Sequence, residues 1–211
     1  SMQLLKSGID VLTGGEKIYY KIDMVEFIDK NPAILRPANF PQRNPGRGVR
    51  YLTVGETTVC VINILGNADF PRTHLANAFP LAEHLVTKAI EEGAVPLVQF
   101  HASPTAEKQA MGFHLAGKAA AVIGTHSKVL TADAQILEGG TAFISDNGRC
   151  GSQMSVGGFE PEAEIEKQVT QLPIRSKEYW EDTALVGVLV EIGDDGKATA
   201  IEPIRSALKE E

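Results

Sequence analysis

Short apolar runs alternate with helical patterns along most of this 211-residue chain. Residues 95–100 and 119–124 are near-continuous apolar runs, as expected for strands that are buried on both faces. Residues 80–92 instead place apolar side chains three and four positions apart, the spacing of an amphipathic helix. This alternation predicts α/β layers. The predicted strands are residues 9–13, 49–54, 57–65, 95–100, 119–124, 129–137, 141–145, 184–192 and 198–204, and the predicted helices are residues 22–29, 80–92, 105–115 and 161–172.

Turn residues divide these runs and indicate two hairpins. Gly55-Glu56 separates the second and third predicted strands, and Gly193-Asp194-Asp195-Gly196 separates the last two. Residues 35–41 contain two prolines and are expected to form no regular structure. Asn39 is a candidate for holding that segment through side-chain hydrogen bonds to the backbone.

Length and composition place limits on the class of protein. A chain with 43% hydrophobic residues predicts one domain over residues 1–211. A net charge of -7 disfavours nucleic acid as a partner. The apolar runs are of strand length and predict no membrane span, and Cys60 and Cys150 are expected to be free thiols in a cytoplasmic protein.

Chemistry-bearing residues cluster where three predicted strands give way to loops, which is the usual place for ligands in a layered α/β fold. The three stretches are Gly14-Gly15-Glu16-Lys17, Phe100-His101-Ala102-Ser103 and Gly124-Thr125-His126-Ser127-Lys128. Two of them hold a histidine and two hold a lysine. They read as a metal site in which some ligands have been replaced.

Several longer blocks carry a family resemblance. They are Leu35-Arg36-Pro37-Ala38-Asn39-Phe40-Pro41 with Pro45-Gly46-Arg47-Gly48, Phe100-His101-Ala102 with Thr105-Ala106-Glu107-Lys108, Gly124-Thr125-His126 with Thr131-Ala132-Asp133, and Gly140-Thr141-Ala142-Phe143-Ile144-Ser145-Asp146. In these blocks and their spacings, from about Leu4 to the C-terminal hairpin, the chain resembles the bacterial YmdB-like family of calcineurin-type metallophosphoesterases.

The resemblance implies a layered α/β metallophosphoesterase-like sandwich that hydrolyses phosphodiesters, including 2',3'-cyclic nucleotides, at two metal ions. The family opens with two strands that end in metal ligands, and this chain is expected to begin after both. The family's glycine-asparagine-histidine loop corresponds to Gly15-Glu16-Lys17, so Lys17 stands at the catalytic histidine position. In the family's glycine-threonine-histidine-threonine-histidine loop both imidazoles bind metal, and the second corresponds here to Lys128.

Each residue of the candidate site has two interpretations. His101 and His126 are either vestigial loop histidines or a weak, open metal site that needs outside ligands. Glu16 is either a substitute metal ligand or a solvated loop carboxylate. Lys17 and Lys128 either form a small cationic pocket for an anion such as phosphate or belong to an ordinary ion network. In such a network their partners would be Glu16 and Asp146.

Two functions follow from these interpretations. The residues at Glu16, Lys17 and Lys128 favour a catalytically silent member of the family, retained for binding or assembly and expected to hold no cofactor. The alternative is an active phosphodiesterase seen without its N-terminal part, which would need two divalent ions of iron, manganese or zinc.

A partner surface is expected at the sheet edge near residues 9–13, from Ile9 to Thr13. The two missing family strands would lie beside this strand, and an uncovered apolar edge recruits other chains. We therefore expect a homo-oligomer or a protein partner at this edge. The alternative is that residues 2–8 fold over it.

Overall fold

The computed structural model describes residues 2–70 and 74–208. Five helices lie among these residues: α1 (Met2–Lys6), α2 (Ile22–Lys30), α3 (Ala78–Glu91), α4 (Thr105–His114) and α5 (Pro161–Thr170). The described strands are β1 (Leu12–Thr13), β2 (Ile34–Leu35), β3 (Val49–Val54), β4 (Thr57–Leu65), β5 (Val95–His101), β6 (Ala121–Thr125), β7 (Gln135–Leu137), β8 (Thr141–Ile144), β9 (Gly151–Ser152), β10 (Thr183–Ile192) and β11 (Ala198–Ala207). The predicted domain over residues 1–211 extends beyond the described residues at 1, 71–73 and 209–211, so its extent stays a prediction.

A six-stranded sheet organises the fold, in the order β3-β4-β5-β6-β8-β7. Its four central strands are parallel, and the two edge strands pair antiparallel to their neighbours. Parallel neighbours end at the same edge of a sheet, so the residues that follow β5 and β6 come together. The α/β prediction is confirmed.

The core lies between one face of this sheet and helices α3 and α4. Side chains of α3 and α4, including Val86 and Met111, pack against Ile62, Val98 and Phe100 of the sheet. Strand β5 alternates between fully buried and half-buried positions, because its other face lies under a different layer. The strand is covered on both sides, as its apolar run predicted, but to different depths.

The C-terminal hairpin supplies the second layer. Strands β10 and β11 pair along their whole length, and β9 joins them in a three-stranded sheet. Ala198 at the start of β11 packs on Ala121 and Ala142 of the large sheet. Its N–H also donates to the Gly140 carbonyl at 2.8 Å. The sheet is therefore held between helices on one face and a β-hairpin on the other.

Several predicted boundaries are wrong near the N-terminus and in the loops. The strand predicted over residues 9–13 is only Leu12–Thr13, and it pairs with β2 in a separate two-stranded sheet. Leu35 lies in β2, although regular structure was not expected there. Residues 129–137 form a strand only at Gln135–Leu137, because the preceding loop bonds to the backbone near Asp146 instead. Helix α1 was not predicted.

The double-proline segment is held as the sequence indicated. Asn39 is buried, and its side chain donates to the Leu65 carbonyl at 2.7 Å and accepts from the Leu65 N–H at 3.0 Å. These paired bonds imitate a backbone ladder and fix the segment against the end of β4. Among the described residues, no helix is both long and apolar enough to cross a membrane.

Candidate metal centre

Three loops bring the candidate ligands together at the carboxyl edge of the sheet. His101 is the last residue of β5, and His126 directly follows β6. Glu16 follows β1 after two glycines. The Asn63 side chain ties these parts to the sheet, because it donates to the carbonyls of Gly14 and Leu35 at 2.8 and 3.0 Å.

The His101 side chain contacts both of the other candidate ligands. His101 Nε2 lies 2.8 Å from Glu16 Oε2 and 3.1 Å from His126 Nδ1. One ligand atom from each residue lies within 4.8 Å of the other two. All three residues are candidate metal ligands in the sequence. The structure brings them into one cluster, although they are separated by up to 110 positions in the chain.

The cluster depends on a small residue at position 15. A Cβ added to Gly15 would lie 2.6 Å from His101 Nε2, closer than side-chain carbons approach other atoms. Glycine therefore lets the backbone before Glu16 pass close to the imidazole. This role of Gly15 was not predicted, although the Gly-Gly pair before Glu16 is visible in the sequence.

Neighbouring groups orient the two imidazoles. His101 Nδ1 lies 2.8 Å from Thr125 Oγ1, which also accepts a hydrogen bond from the Gln99 side chain. The Phe70 ring stacks on His101 with a centroid distance of 6.2 Å and meets His126 edge-on at 5.4 Å. Phe70 was missed because nothing in the sequence indicates that it faces these loops, and Thr125, although part of the third candidate stretch, was given no role.

The cluster can exist in two protonation arrangements. When His101 carries its proton on Nε2, the N–H donates to Glu16. When the proton is on Nδ1, it donates to Thr125 Oγ1, and the Nε2 lone pair faces Glu16 and His126. The second arrangement is the one in which metal-binding histidines are normally held by a neighbouring acceptor.

The pKa shifts of His101 and Glu16 favour metal binding. Burial lowers the pKa of His101, the Glu16 carboxylate opposes this effect, and the His126 charge adds to it, so the pKa stays below its ordinary value. Burial alone would raise the pKa of Glu16, but a backbone hydrogen bond and the nearby His101 lower it. Both directions favour neutral imidazole beside ionised carboxylate, the forms that bind metal.

The donor set fits one divalent transition metal. Two imidazole nitrogens and a carboxylate oxygen suit iron, manganese or zinc. Ligand atoms on adjacent corners of an octahedral coordination sphere with bonds of ~2.1 Å lie about 3 Å apart. The 2.8 and 3.1 Å separations match that spacing. Within residues 2–70 and 74–208, this is the one group of three or more histidine, cysteine or acidic side chains arranged to hold an ion.

The two lysines lie at the rim rather than within the cluster. Lys17 is 81% exposed, and its Nζ is 3.6 Å from Glu16 Oε1, as the ion-network interpretation expected. The other proposed pair is wrong, because Asp146 is paired with buried Lys108 and not with Lys128. Lys17 and Lys128 line one open cleft of about 860 Å³ together with the three ligands. The cleft offers room for an anion between them.

The fold and this site together define a metallophosphoesterase-like α/β protein. Residues 1–204 match the family model described as YmdB-like protein. The chain belongs to the YmdB-like family.

Similar proteins and solved structures agree with this assignment. The chain is 38% identical over 202 residues to a 2',3'-cyclic-nucleotide 2'-phosphodiesterase of Bacillus subtilis (strain 168), covering 95% of this chain and 76% of the relative. A crystal structure of a novel phosphatase from Mycoplasma pneumoniae superimposes with a TM-score of 0.88 at 27% identity, covering 98% of this chain and 75% of that one. A hypothetical protein from Thermus thermophilus has a TM-score of 0.87 at 27% identity, with 98% of this chain and 79% of that one covered.

Proposed function

We propose that this protein binds one divalent metal ion through Glu16, His101 and His126 and holds a phosphate ester against it. We further propose that it does not complete phosphodiester hydrolysis by itself. The convergence of a carboxylate on two imidazoles, with 2.8 and 3.1 Å between ligand atoms, carries this proposal. It replaces the expectation that no metal is held, which considered the two histidines without an assembled third ligand.

The proposal that the protein does not hydrolyse phosphodiesters by itself rests on the number and type of side chains at the site. Two-metal phosphodiester hydrolysis uses a second ion to stabilise the leaving oxygen. The cluster offers three protein ligands, which suffice for one ion. Lys17 stands where the family resemblance implies a catalytic imidazole, and an ammonium has no lone pair with which to coordinate a metal or accept a proton.

Each residue would have a distinct task in the bound state. A divalent ion would supply a positive charge that polarises a phosphoryl oxygen. Glu16, His101 and His126 would hold that ion, with Thr125 keeping the His101 proton on Nδ1. Lys17 and Lys128, which both line the cleft, would attract the anionic ester, as the anion-pocket interpretation expects.

A second candidate function is hydrolysis of 2',3'-cyclic nucleotides with two ions of iron, manganese or zinc. The 38% identity to the Bacillus enzyme supports it. That alignment spans 76% of the Bacillus protein, so about a quarter of the relative's length has no counterpart in the aligned region. Catalytic groups supplied from outside these 211 residues would then complete the site.

Two measurements test these proposals. Elemental analysis of purified protein is expected to find close to one equivalent of transition metal, reduced to background in Glu16→Gln and His101→Ala. Hydrolysis of 2',3'-cyclic AMP and bis-p-nitrophenyl phosphate is expected to stay at background with added manganese. Turnover that disappears in a His101→Ala, His126→Ala variant would establish the hydrolase instead, and absence of metal in the parent would defeat the metal proposal.

We also propose a cytoplasmic location and self-association at the edge near residues 9–13. Cys60 and Cys150 are both free thiols, which suits a reducing compartment. Ile9 is 40% exposed beside the short strand β1, which supports a docking role for this edge.

A further inference from the structure

A second cavity, of about 340 Å³, adjoins the cleft that contains the metal ligands. We call it the basic pocket, because Lys128, Arg149 and Arg205 line it, and the other residues that line it within the described part of the chain are neutral. Ser127, Lys128 and Arg149 line both cavities. The two spaces therefore meet at these three side chains.

Arg149 is fixed in place without being neutralised. Its guanidinium donates to Ser155 Oγ at 3.0 Å, to the Cys150 carbonyl at 3.3 Å and to the Ser152 carbonyl. A Cβ at Gly151 would lie 2.5 Å from Nη1, so glycine there makes room for the guanidinium. All these partners are uncharged oxygens, and an arginine carries five donors, so two donors and the full charge stay available.

The other two cations form no salt bridge with the acidic side chains that the structure describes. Lys128 has a left-handed backbone with φ of 63°, and its Nζ lies near Gly157, where a Cβ would be 3.8 Å away. Arg205 is the cross-strand neighbour of Val186, another residue of the pocket. No ion pair formed within residues 2–70 and 74–208 involves Lys128, Arg149 or Arg205.

One acidic group within electrostatic reach of Lys128 is already paired with another lysine. Lys128 influences Glu164, but Glu164 Oε1 is bonded to Lys167 Nζ at 2.7 Å. Three uncompensated cations around one concavity, in a chain of net charge -7, concentrate positive potential there. A phosphate dianion matches that charge, and the planar guanidinium binds two of its oxygens at once.

We propose that the basic pocket binds a second phosphate group of the ligand whose first phosphate lies at the metal cluster. The ligand class is then a phosphate ester that carries two separated phosphate groups, and a nucleoside bisphosphate is a suitable probe for it. The inference rests on the proposed phosphate-ester binding for the first contact, whereas the pocket's own affinity for phosphate depends only on its three cations.

Inorganic phosphate titrated into ¹⁵N-labelled full chain tests the pocket directly. Amide signals of two groups are expected to move: those at Gly15 and Glu16 for the metal cleft, and those at Ser155, Gly157 and Gly158 for the basic pocket. In Arg205→Gln, which alters only the pocket, the second group is expected to lose phosphate affinity at least fivefold. In His101→Ala the second group is expected to respond as in the parent. Lys88→Gln, on the remote helix α3, is the matched control.

Calorimetry then tests whether the two phosphates belong to one ligand. Metal-loaded protein is expected to bind adenosine 3',5'-bisphosphate about tenfold more tightly than adenosine 5'-monophosphate, and Arg205→Gln is expected to remove that advantage. The proposal that the basic pocket binds phosphate would be wrong if the pocket amide signals do not move. It would also be wrong if phosphate affinity at the pocket is unchanged in Arg205→Gln. If the pocket amides move but the protein binds the two nucleotides with equal affinity, the proposal that one ligand bridges the two sites would be wrong. If adenosine 5'-monophosphate does not bind while the pocket amides still respond to phosphate, the proposed function would be wrong and the proposed phosphate site in the basic pocket would not be affected.

Discussion

Lys108 and Asp146 form a buried ion pair directly behind the loop that carries His126. Lys108 Nζ lies 3.4 Å from Asp146 Oδ2, and each side chain is 1% exposed. Lys108 also donates to Ser127 Oγ at 2.8 Å, while Asp146 accepts from the Ser127 N–H at 2.6 Å. The pair thus connects helix α4 to the loop after β6, and it holds His126 in a positive-φ conformation of 111°.

Lys108→Met is expected to lower the free energy of unfolding by about 3–5 kcal/mol, because it leaves a buried carboxylate without its counter-charge. Urea denaturation measures the loss. Adding Asp146→Asn to that variant is expected to recover part of it, since the uncompensated charge is removed. Lys88→Met, which breaks an exposed pair with Glu92, is the control and is expected to change little. Equal losses at both lysines would contradict the structural role of the buried pair.

The sequence predicted much of the sheet and little of what positions the site. Both hairpins and the strands before His101 and His126 follow from local apolar patterns and turn residues, which act over a few positions. The Lys108–Asp146 pair joins residues 38 positions apart through burial that no local pattern encodes. Glu16 was proposed as a substitute ligand, but its contact with His101 depends on the path of the chain from β1, which the sequence placed in the wrong sheet environment.

Gly15→Ala is expected to weaken metal binding at least tenfold while the protein stays folded. The added Cβ would fall 2.6 Å from His101 Nε2 and push the imidazole away from Glu16. Gly187→Ala is the matched control, because a Cβ there meets its nearest neighbour, the Ile204 side chain, at 4.0 Å. Metal titration of both variants, with circular dichroism to confirm folding, gives the comparison. Unchanged affinity in Gly15→Ala would show that metal does not bind at His101.

Glu16→Gln is expected to lower the pKa of His101 further in chelator-treated protein. Burial already holds that pKa below its ordinary value, and the Glu16 carboxylate is the main influence that raises it. Removing the negative charge leaves burial unopposed. Proton NMR titration of the His101 Cε1–H reports the change, with Glu91→Gln as a control that removes a carboxylate from the far end of helix α3. A rise in the pKa of His101 in Glu16→Gln would contradict the geometry.

The same pKa direction fixes the pH dependence of stability in the metal-free protein. A histidine with a lowered pKa in the folded state binds its proton more readily when unfolded. The contribution of His101 to the free energy of unfolding is therefore fully present above the pKa of histidine in the unfolded chain, about 6.5, and is lost as pH falls below that value. Unfolding free energy, measured by urea denaturation at several pH values, is expected to fall over this range less steeply in His101→Ala. Equal slopes would show that His101 does not titrate with folding.

Self-association of the protein is expected at its N-terminal edge. Strand β1 has two residues and pairs with β2. In α1 and in the segment that leads into β1, exposed apolar side chains include Met2, Leu4 and Ile9, at 47%, 49% and 40%. Apolar surface next to a short strand is buried when two copies pair there.

Ile9→Lys is expected to weaken dimer formation at least tenfold, because pairing would bury its charge. The control is Ile22→Lys, which makes the same change at a site that is 79% exposed at the start of α2. Light scattering over a range of concentrations measures assembly, and hydrogen exchange of residues 9–13 reports whether the edge becomes protected as dimers form. A monomer at the highest soluble concentration with rapid exchange at residues 9–13 would rule out pairing at this edge. Dimers of equal strength in both variants would place the interface elsewhere on the protein.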